Sequence, residues 1–321
     1  MKAIRYQSYG SPDDLHLEEA PTPVPAPNEV LIKVRAASVN PIDWHFLRGT
    51  PYGIRMMTGL SKPKSQGLGM DVAGEIVAMG SKVTRFRIND PVFGTARASF
   101  AEYACAPETT IVRKPDAVTF AQAASIPVAG VTALQCLRDK ARIQVGQKLL
   151  VNGASGGVGT FAVQLGIHSG AIVTAVCSTR NADMVQSLGA RNVIDYTHLD
   201  FTLGAQRYDV IIDCIGNHSL AACRRVLTPK GMYLIVGGPG GRWIAPMDRV
   251  LRARLLSMFV SQHLAFLSAK ITQRDLDFIA GLIASGKVTP VIDRTYPLPL
   301  VPSALRYLEE GHARGKVVIV V

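Results

Sequence analysis

The chain has 321 residues, of which 48% are hydrophobic and 18% charged, a composition that argues against intrinsic disorder and suggests about two domains with packed cores. The 35 Lys and Arg residues against 24 Asp and Glu give a net charge of +11, but the basic residues are scattered, so no specific nucleic-acid partner is expected. No apolar run approaches the roughly 20 residues of a membrane-spanning helix and no secretory signal is recognisable, so we expect a cytoplasmic protein without a membrane span.

The first third of the chain is typical of β-structure joined by turns. Strands are predicted at residues 30–36, 71–80 and 90–94, where short apolar segments are bounded by Pro and Gly. No long helical period precedes residue 120. This pattern predicts a small unit that resembles a β-barrel.

From about residue 120 the pattern changes to helices that alternate with buried strands. Continuous apolar strands separated by helices indicate a parallel sheet covered on both faces, and right-handed crossovers make a doubly wound sheet the expected topology. Strands are predicted at residues 148–152, 171–176, 209–213 and 233–236, and a helix over 157–170.

After about residue 265 the pattern changes again, to a tail that is too short to form its own core. We expect this tail to return to the first domain, so that residues 1–124 and 266–321 form one domain and residues 125–265 the other. In the tail we predict helices over 275–285 and 302–310 and strands over 288–293 and 317–321.

A glycine-rich loop follows the strand predicted at 148–152 and precedes the helix at 157–170. Glycine lets the backbone turn tightly and approach a pyrophosphate, and the helix N-terminus offers unpaired N–H groups to the anion. With a strand before the loop, a helix after it and the next strand about 20 residues on, the context fits a dinucleotide-binding fingerprint. The predicted cofactor-binding residues of this loop are Ala154, Ser155, Gly156, Gly157, Val158 and Gly159.

The residues after the next strand indicate which nicotinamide cofactor is bound. A site specific for NAD carries Asp or Glu there, whereas this chain has Ser178, Thr179 and Arg180 and no carboxylate before Asp183. Hydroxyls and a guanidinium suit a 2′-phosphate, so NADPH is the predicted cofactor. A solvated loop that carries an arginine by chance is the alternative.

Two later loops also follow buried strands. In an open parallel sheet a ligand lies beyond the carboxyl ends of the strands, so Ile215 and Gly216 in one loop and Val236 and Gly237 in the next are expected to line the cofactor cleft. Simple tight turns are the alternative interpretation.

Seven segments, spread over nearly the whole chain, carry motifs that together point to one family: residues 36–43, 69–74, 130–133, 153–159, 193–196, 286–294 and 313–318. In these segments the chain resembles the medium-chain dehydrogenase/reductase superfamily, in its zinc-free quinone oxidoreductase branch. This resemblance implies a mixed α/β fold, with a GroES-like β-barrel-type catalytic domain built from both chain ends and a Rossmann domain inserted between them.

Zinc-dependent members of the superfamily place Cys where this chain has Asn40, and His-Glu where it has Met70 and Asp71. Neither Asn40 nor Met70 is a plausible zinc ligand, and no four-cysteine lobe is present, so no metal site is expected. Alcohol oxidation needs a Lewis acid, but hydride transfer to a quinone or to a C=C bond conjugated with a carbonyl does not. The predicted substrate is therefore a small planar quinone or enone.

The resemblance also implies roles for single residues. Asn40 and Thr132 match family positions that contact the nicotinamide of the cofactor. Tyr196 matches a position beside the adenosine phosphate, and Lys316 could reach the cofactor from the C-terminal tail. His45 stands where related enone reductases carry Lys, so it is a candidate proton donor, with a surface or packing role and proton delivery by solvent as the alternatives.

Three functions remain open at this point. The leading one is an NADPH-dependent quinone or enone reductase. The resemblance implies that such a protein is a homodimer joined along the edge of the sheet. An enoyl-thioester reductase would use the same chemistry on a larger substrate. A nucleotide-bound RNA-binding or structural protein of the same fold is the third, because members of this branch have been recruited to such roles.

Overall fold

The computed structural model describes residues 1–238 and 247–321. It divides into two compact units, which we call the first unit (Met1–Val131 and Lys270–Val321) and the second unit (Thr132–Ala269). No helix within the described ranges is long and apolar enough to cross a membrane.

The strands of the described residues are, in chain order, β1 (Lys2–Arg5), β2 (His16–Glu19), β3 (Glu29–Val39), β4 (Asp71–Met79), β5 (Pro91–Thr95), β6 (Tyr103–Pro107), β7 (Ile111–Arg113), β8 (Lys148–Asn152), β9 (Ile172–Cys177), β10 (Asn192–Asp195), β11 (Tyr208–Asp213), β12 (Leu227–Ile235), β13 (His263–Phe266), β14 (Ile292–Pro297) and β15 (Lys316–Val320). The α-helices are α1 (Pro41–Arg48), α2 (Arg55–Thr58), α3 (Phe120–Ala124), α4 (Pro127–Gln135), α5 (Gly157–His168), α6 (Ala182–Ser187), α7 (Leu220–Arg225), α8 (Met247–Ser257), α9 (Gln273–Ala284) and α10 (Val301–Glu309).

The first unit is built around a seven-stranded sheet. Its strands follow the order β14-β15-β3-β4-β5-β7, and β6 pairs with β3. The C-terminal strand β15 lies antiparallel to β3, with Val317 opposite Val39, so the tail returns to the first unit as its length suggested. Buried side chains of β3, β4 and β5, such as Ile32, Ile76 and Val92, form one core cluster.

The second unit holds a six-stranded sheet in the order β10-β9-β8-β11-β12-β13. Every pair in it is parallel. From β8 the chain winds outward to β9 and β10, and from β11 it winds the other way to β12 and β13, so the winding direction reverses between β8 and β11. The predicted doubly wound sheet and the mixed α/β class are confirmed, and the ligand crevice of such a sheet lies at this reversal.

Most predicted elements have their counterparts, but two strands differ in extent. The strand predicted at 288–293 is wrong over its first four residues, because β14 begins only at Ile292. Pro290 has no N–H to give to a sheet ladder and favours the irregular backbone that precedes the strand. The strand predicted at 233–236 is the end of a longer one, since β12 already begins at Leu227.

Candidate functional site

The glycine-rich loop of the second unit joins β8 to α5 at the sheet reversal. Its first residue, Gly153, has a φ of +82°, which side chains rarely allow. A Cβ on Gly159 would lie 2.1 Å from the carbonyl oxygen of Gly153, so only glycine fits there. Gly156 caps α5, and the first-turn N–H groups lack partners within the helix, as an anion-binding N-terminus requires. The loop and this first turn contain all six predicted residues from Ala154 to Gly159.

A buried asparagine ties this loop to the next one. Asn181 is 4% exposed, and its Nδ2 donates to Ser155 Oγ at 3.0 Å and to Ser178 Oγ at 3.3 Å. Its Oδ1 is buried and has no hydrogen-bond partner among the described residues, which leaves an acceptor for a donor on a ligand. The sequence prediction missed Asn181, although it directly follows the predicted Ser178–Arg180 segment.

Ser178, Thr179 and Arg180 follow β9, and Tyr196 follows the neighbouring strand β10. Thr179 and Arg180 are exposed, and Tyr196 is 54% exposed. The structure therefore gathers the four residues predicted to meet the adenosine end of the cofactor at the carboxyl ends of two paired strands.

A buried carboxylate holds the loop that follows β11. Asp213 is fully buried, and its Oδ1 accepts hydrogen bonds from the backbone N–H of Ile215 at 3.1 Å and of Gly216 at 2.8 Å. The Nδ2 of Asn152, at the end of β8, donates to the same oxygen at 2.8 Å. One carboxylate thus fixes both predicted residues of this loop beside the sheet reversal.

The next loop packs against the same residue. The backbone N–H groups of Val236 and Gly237 donate to the carbonyl oxygen of Asp213 at 2.9 and 3.2 Å. A Cβ on Gly237 would lie 2.2 Å from the carbonyl oxygen of Cys214, so glycine is required there. The predicted residues Val236 and Gly237 therefore lie against the loop that carries Ile215 and Gly216.

Arg249 of α8 completes this arrangement, and the sequence prediction assigned it no role in it. One guanidinium nitrogen donates to the carbonyl oxygens of Gly216 at 3.2 Å and His218 at 2.6 Å, and another lies 3.4 Å from Asp213 Oδ2. The hydroxyl of Tyr233 donates to Asp213 and accepts from Arg249. Burial raises the pKa of Tyr233, so the hydroxyl stays protonated.

The first unit contains a second buried polar cluster, centred on Asp71 of β4. Asp71 is fully buried, and its Oδ2 accepts from Ser38 Oγ at 2.7 Å and from Asn40 Nδ2 at 2.9 Å. The backbone N–H of Val128 donates to its Oδ1 at 3.0 Å. Lys316 of β15 lies 3.4 Å from Asp71 Oδ2, which makes a buried ion pair.

The structure brings the predicted residues Asn40 and Lys316 into direct contact. Lys316 is 3% exposed, and its Nζ donates to Asn40 Oδ1 at 2.6 Å and to the carbonyl oxygen of Val39 at 3.1 Å. Burial lowers the pKa of Lys316, which Asp71 opposes. Both ends of the Asn40 amide are hydrogen-bonded within the first unit, so the ion pair fixes its orientation.

A further buried acid lies at the start of α1. Asp43 accepts a 2.7 Å hydrogen bond from the backbone N–H of Asn40, and burial raises the pKa of Asp43 to about 7, although this N–H opposes the rise. Its Oδ1 has no hydrogen-bond partner within the described ranges. Asp43 therefore anchors the residue that Lys316 and Asp71 orient.

His45 and Thr132 are the remaining predicted residues. The Nδ1 of His45 lies 2.7 Å from the carbonyl oxygen of Thr50, and burial lowers the pKa of His45. Because a carbonyl only accepts, the neutral ring carries its proton on Nδ1 and has none on Nε2. Thr132 lies in α4 and is 8% exposed.

Among the described residues, no three or more His, Cys, Asp and Glu side chains form a group that could hold a metal ion. Asn40 and Asp71, two of the positions that the sequence analysis compared with zinc-dependent relatives, both contact Lys316.

Two family models match the chain. The model described as alcohol dehydrogenase GroES-like domain matches residues 26–116, and the one described as zinc-binding dehydrogenase matches residues 188–319. The first match lies in the first unit, whereas the second extends from the second unit into the C-terminal tail.

The chain is also similar to individual proteins over nearly its full length. It is 34% identical to a chloroplast envelope quinone oxidoreductase homolog from Arabidopsis thaliana, over 99% of this chain and 98% of that protein. It is 32% identical to a 2-methylene-furan-3-one reductase from Solanum lycopersicum, over 99% of this chain and 79% of that protein. The solved structure of the quinone oxidoreductase from Coxiella burnetii is 33% identical, with a TM-score of 0.89 over 100% of this chain and 99% of that one.

The Arg249 contacts predict a large effect on stability. Replacing Arg249 with Met leaves the buried Asp213 carboxylate and two carbonyl oxygens without their cationic partner, so we expect the free energy of unfolding to fall by about 3 kcal/mol. Denaturant unfolding followed by circular dichroism measures it. Arg252→Met on the same helix is the control, because that side chain is 77% exposed and its ion pair contributes less than about 1 kcal/mol. Equal losses in the two variants would contradict this role of Arg249.

Proposed function

The chain belongs to the medium-chain dehydrogenase/reductase superfamily, in its quinone oxidoreductase branch, and we propose that it is a zinc-independent reductase that transfers hydride from NADPH to a quinone or an α,β-unsaturated carbonyl compound. Two observations support this proposal. The loop before α5 admits only glycine at Gly159, as a close approach to a dinucleotide requires, and the first unit binds Asn40 and Asp71 to Lys316.

The residues of the second unit fit a dinucleotide. The N–H groups at the start of α5 would hold the pyrophosphate, and Ser178, Thr179, Arg180 and Tyr196 would hold the adenosine end with its 2′-phosphate. Ile215, Gly216, Val236 and Gly237 would line the other end, held in place by Asp213. When bound, the reduced nicotinamide supplies the hydride.

The proposed class of hydride acceptor follows from where the negative charge of the transferred hydride can go. A quinone or an enone delocalises the negative charge that hydride delivers, so hydrogen-bond donors suffice to stabilise the product anion and a Lewis acid is not needed. The relative named as a 2-methylene-furan-3-one reductase supports the enone class, because its named substrate carries a methylene group conjugated with a ketone. An enoyl thioester is the second candidate, since it would undergo the same addition.

A substrate panel tests this function directly. We expect NADPH oxidation, followed by its absorbance, when a quinone or an enone is added, and no reduction of NADP⁺ with simple alcohols. Product analysis distinguishes the hydroquinone from the saturated ketone. Because the proposed reaction uses no metal, prior treatment with a chelator leaves the rate unchanged. Turnover of alcohols alone, or loss of activity together with stoichiometric zinc, would overturn the proposal.

The geometry at His45 favours water as the source of the proton. In the neutral ring the one N–H bonds to Thr50, and the lowered pKa of His45 disfavours the charged form that could donate from Nε2. An acid that depends on this charged form would also lose activity as the pH rises through the His45 pKa.

His45→Ala therefore has a defined outcome. We expect kcat of the variant to fall less than about tenfold, whereas loss of a general acid costs about 10²–10⁴-fold, and we expect kcat of the native protein not to decline as the pH rises through the lowered His45 pKa. Steady-state kinetics with NADPH and an enone measure both quantities, and His16→Ala on an exposed part of β2 is the control. A loss of 10²-fold or more with an intact fold would restore His45 as the proton donor.

We further propose that the protein forms a homodimer through the edge of the second unit's sheet. β13 is the last strand in the order, and α8 contacts it and ends beside it. Four apolar side chains on α8 and directly after it are exposed by 53% or more, and we call them the α8 patch: Leu251, Leu255, Met258 and Phe259. A second copy related by a twofold axis would pair the two β13 strands and cover both patches.

The cytoplasmic location remains a prediction that cell fractionation tests.

The dimer proposal predicts the effect of a charge in the α8 patch. Leu255→Lys buries an ammonium in the dimer, so we expect light scattering after gel filtration to change from twice the chain mass to the chain mass. Leu203→Lys is the control, because that side chain is 73% exposed on a different part of the second unit. A monomeric native protein, or a dimer unaffected by Leu255→Lys, would contradict the proposed interface.

A further inference from the structure

Asp195 is a carboxylate that reaches the loop predicted to bind the 2′-phosphate. It is the last residue of β10 and pairs in register with Cys177, the last residue of β9. The side chains that follow the two strands therefore meet, and the hydroxyl of Thr179 donates a hydrogen bond to Asp195 Oδ2. Sequence spacing placed no carboxylate beside Thr179, because Asp195 comes from the neighbouring strand.

Asp195 is held as a charged group. Thr197 donates to its Oδ1 from the hydroxyl at 2.7 Å and from the backbone N–H at 2.9 Å. The hydrogen bonds from Thr179 and Thr197 lower the pKa of Asp195 to about 2. The imidazole of His198 is also close, with its Nε2 3.9 Å from Oδ2, and that side chain is 78% exposed. At neutral pH the loop thus carries one fixed negative charge.

The end of the second strand is where this kind of fold distinguishes its two cofactors. A carboxylate there accepts a hydrogen bond from the ribose 2′-hydroxyl of NADH, and a cation there pairs with the 2′-phosphate of NADPH. In this chain Arg180 follows the second strand, β9, whereas the carboxylate is Asp195 at the end of the neighbouring strand β10, which reaches the same loop through Thr179. The cation of Arg180 favours NADPH, whereas the carboxylate of Asp195 favours NADH.

We propose that Asp195 is a specificity-determining residue that weakens the binding of NADPH and permits the binding of NADH, so that the protein uses both cofactors. Its carboxylate repels the 2′-phosphate, and it holds the proton of the Thr179 hydroxyl, which is then not free to donate to that phosphate. With NADH bound, the same carboxylate would accept a hydrogen bond from the ribose 2′-hydroxyl. This inference rests on the proposed function, because it concerns the cofactor site assigned there.

Asp195→Asn tests the inference without any acceptor substrate. The substitution keeps the shape and removes the charge, so we expect the Kd for NADPH to fall about fivefold and the Kd for NADH to rise, which shifts their ratio about tenfold. Titration of the nicotinamide fluorescence measures both constants, and circular dichroism checks the fold. Asp195→Ser is the second variant, for use if the amide disturbs the loop, and the same shift is expected from it.

Two further variants separate charge from other effects. Asp183→Asn removes an exposed charge from the first turn of α6, so it changes the net charge equally and is expected to leave the ratio unchanged. Thr179→Val keeps the carboxylate charge, so it is not expected to strengthen NADPH binding. A ratio within about twofold of the native value in Asp195→Asn and Asp195→Ser would overturn the inference. If the native protein bound neither cofactor, the proposed function itself would fail.

Discussion

The architecture of the second unit depends on one geometric constraint, which is that parallel strands bring their carboxyl ends to the same edge of a sheet. The glycine loop, the loop with Thr179, the loop with Gly216 and the loop with Gly237 each follow such an end. Residues far apart in sequence therefore share one small region. Asp213 shows the effect of this constraint, since its side chain and backbone together bind residues at the ends of β8, β11 and β12.

The sequence predicts those parts of this arrangement whose residues lie close together along the chain, and it does not predict contacts between residues far apart in sequence. The central strands β8, β9 and β11, α5 and the glycine loop carry local signals, namely apolar runs, a glycine pattern and the spacing between them, and they were predicted with nearly the observed bounds. The bounds of β12 and β14 were predicted less well, and short strands such as β1, β2 and β13 were not predicted. The resemblance to a known family added Asn40 and Lys316, which local patterns do not join. Arg249 lies 36 residues from Asp213, and nothing in its neighbourhood indicates that contact. Asp195 was missed for a related reason, because strand register and not sequence spacing brings it to Thr179.

The two buried charge clusters perform similar structural tasks in the two units. Asp213 with Arg249 fixes a backbone loop, and Asp71 with Lys316 fixes the amide of Asn40. Each ion is costly to bury alone, so each cluster also uses hydroxyls, amides or backbone groups as hydrogen-bond partners, although the buried Nε of Arg249 has no partner among the described residues. In the first unit such a cluster lies at positions where zinc-dependent relatives hold a metal. There the Nζ of Lys316 contacts both Asn40 and Asp71, so these two side chains bind a lysine of the same chain.

The pairing of β15 with β3 has a consequence for the way the protein is made. Lys316 is added 245 residues after Asp71, so the nascent first unit waits for the whole second unit to be translated before its ion pair closes. At about 5–20 residues per second, that interval lasts on the order of 12–50 s. The second unit is contiguous in sequence and can fold on the ribosome during this time, while the end of β3 that pairs with β15, residues Ala36–Val39, still lacks that partner strand.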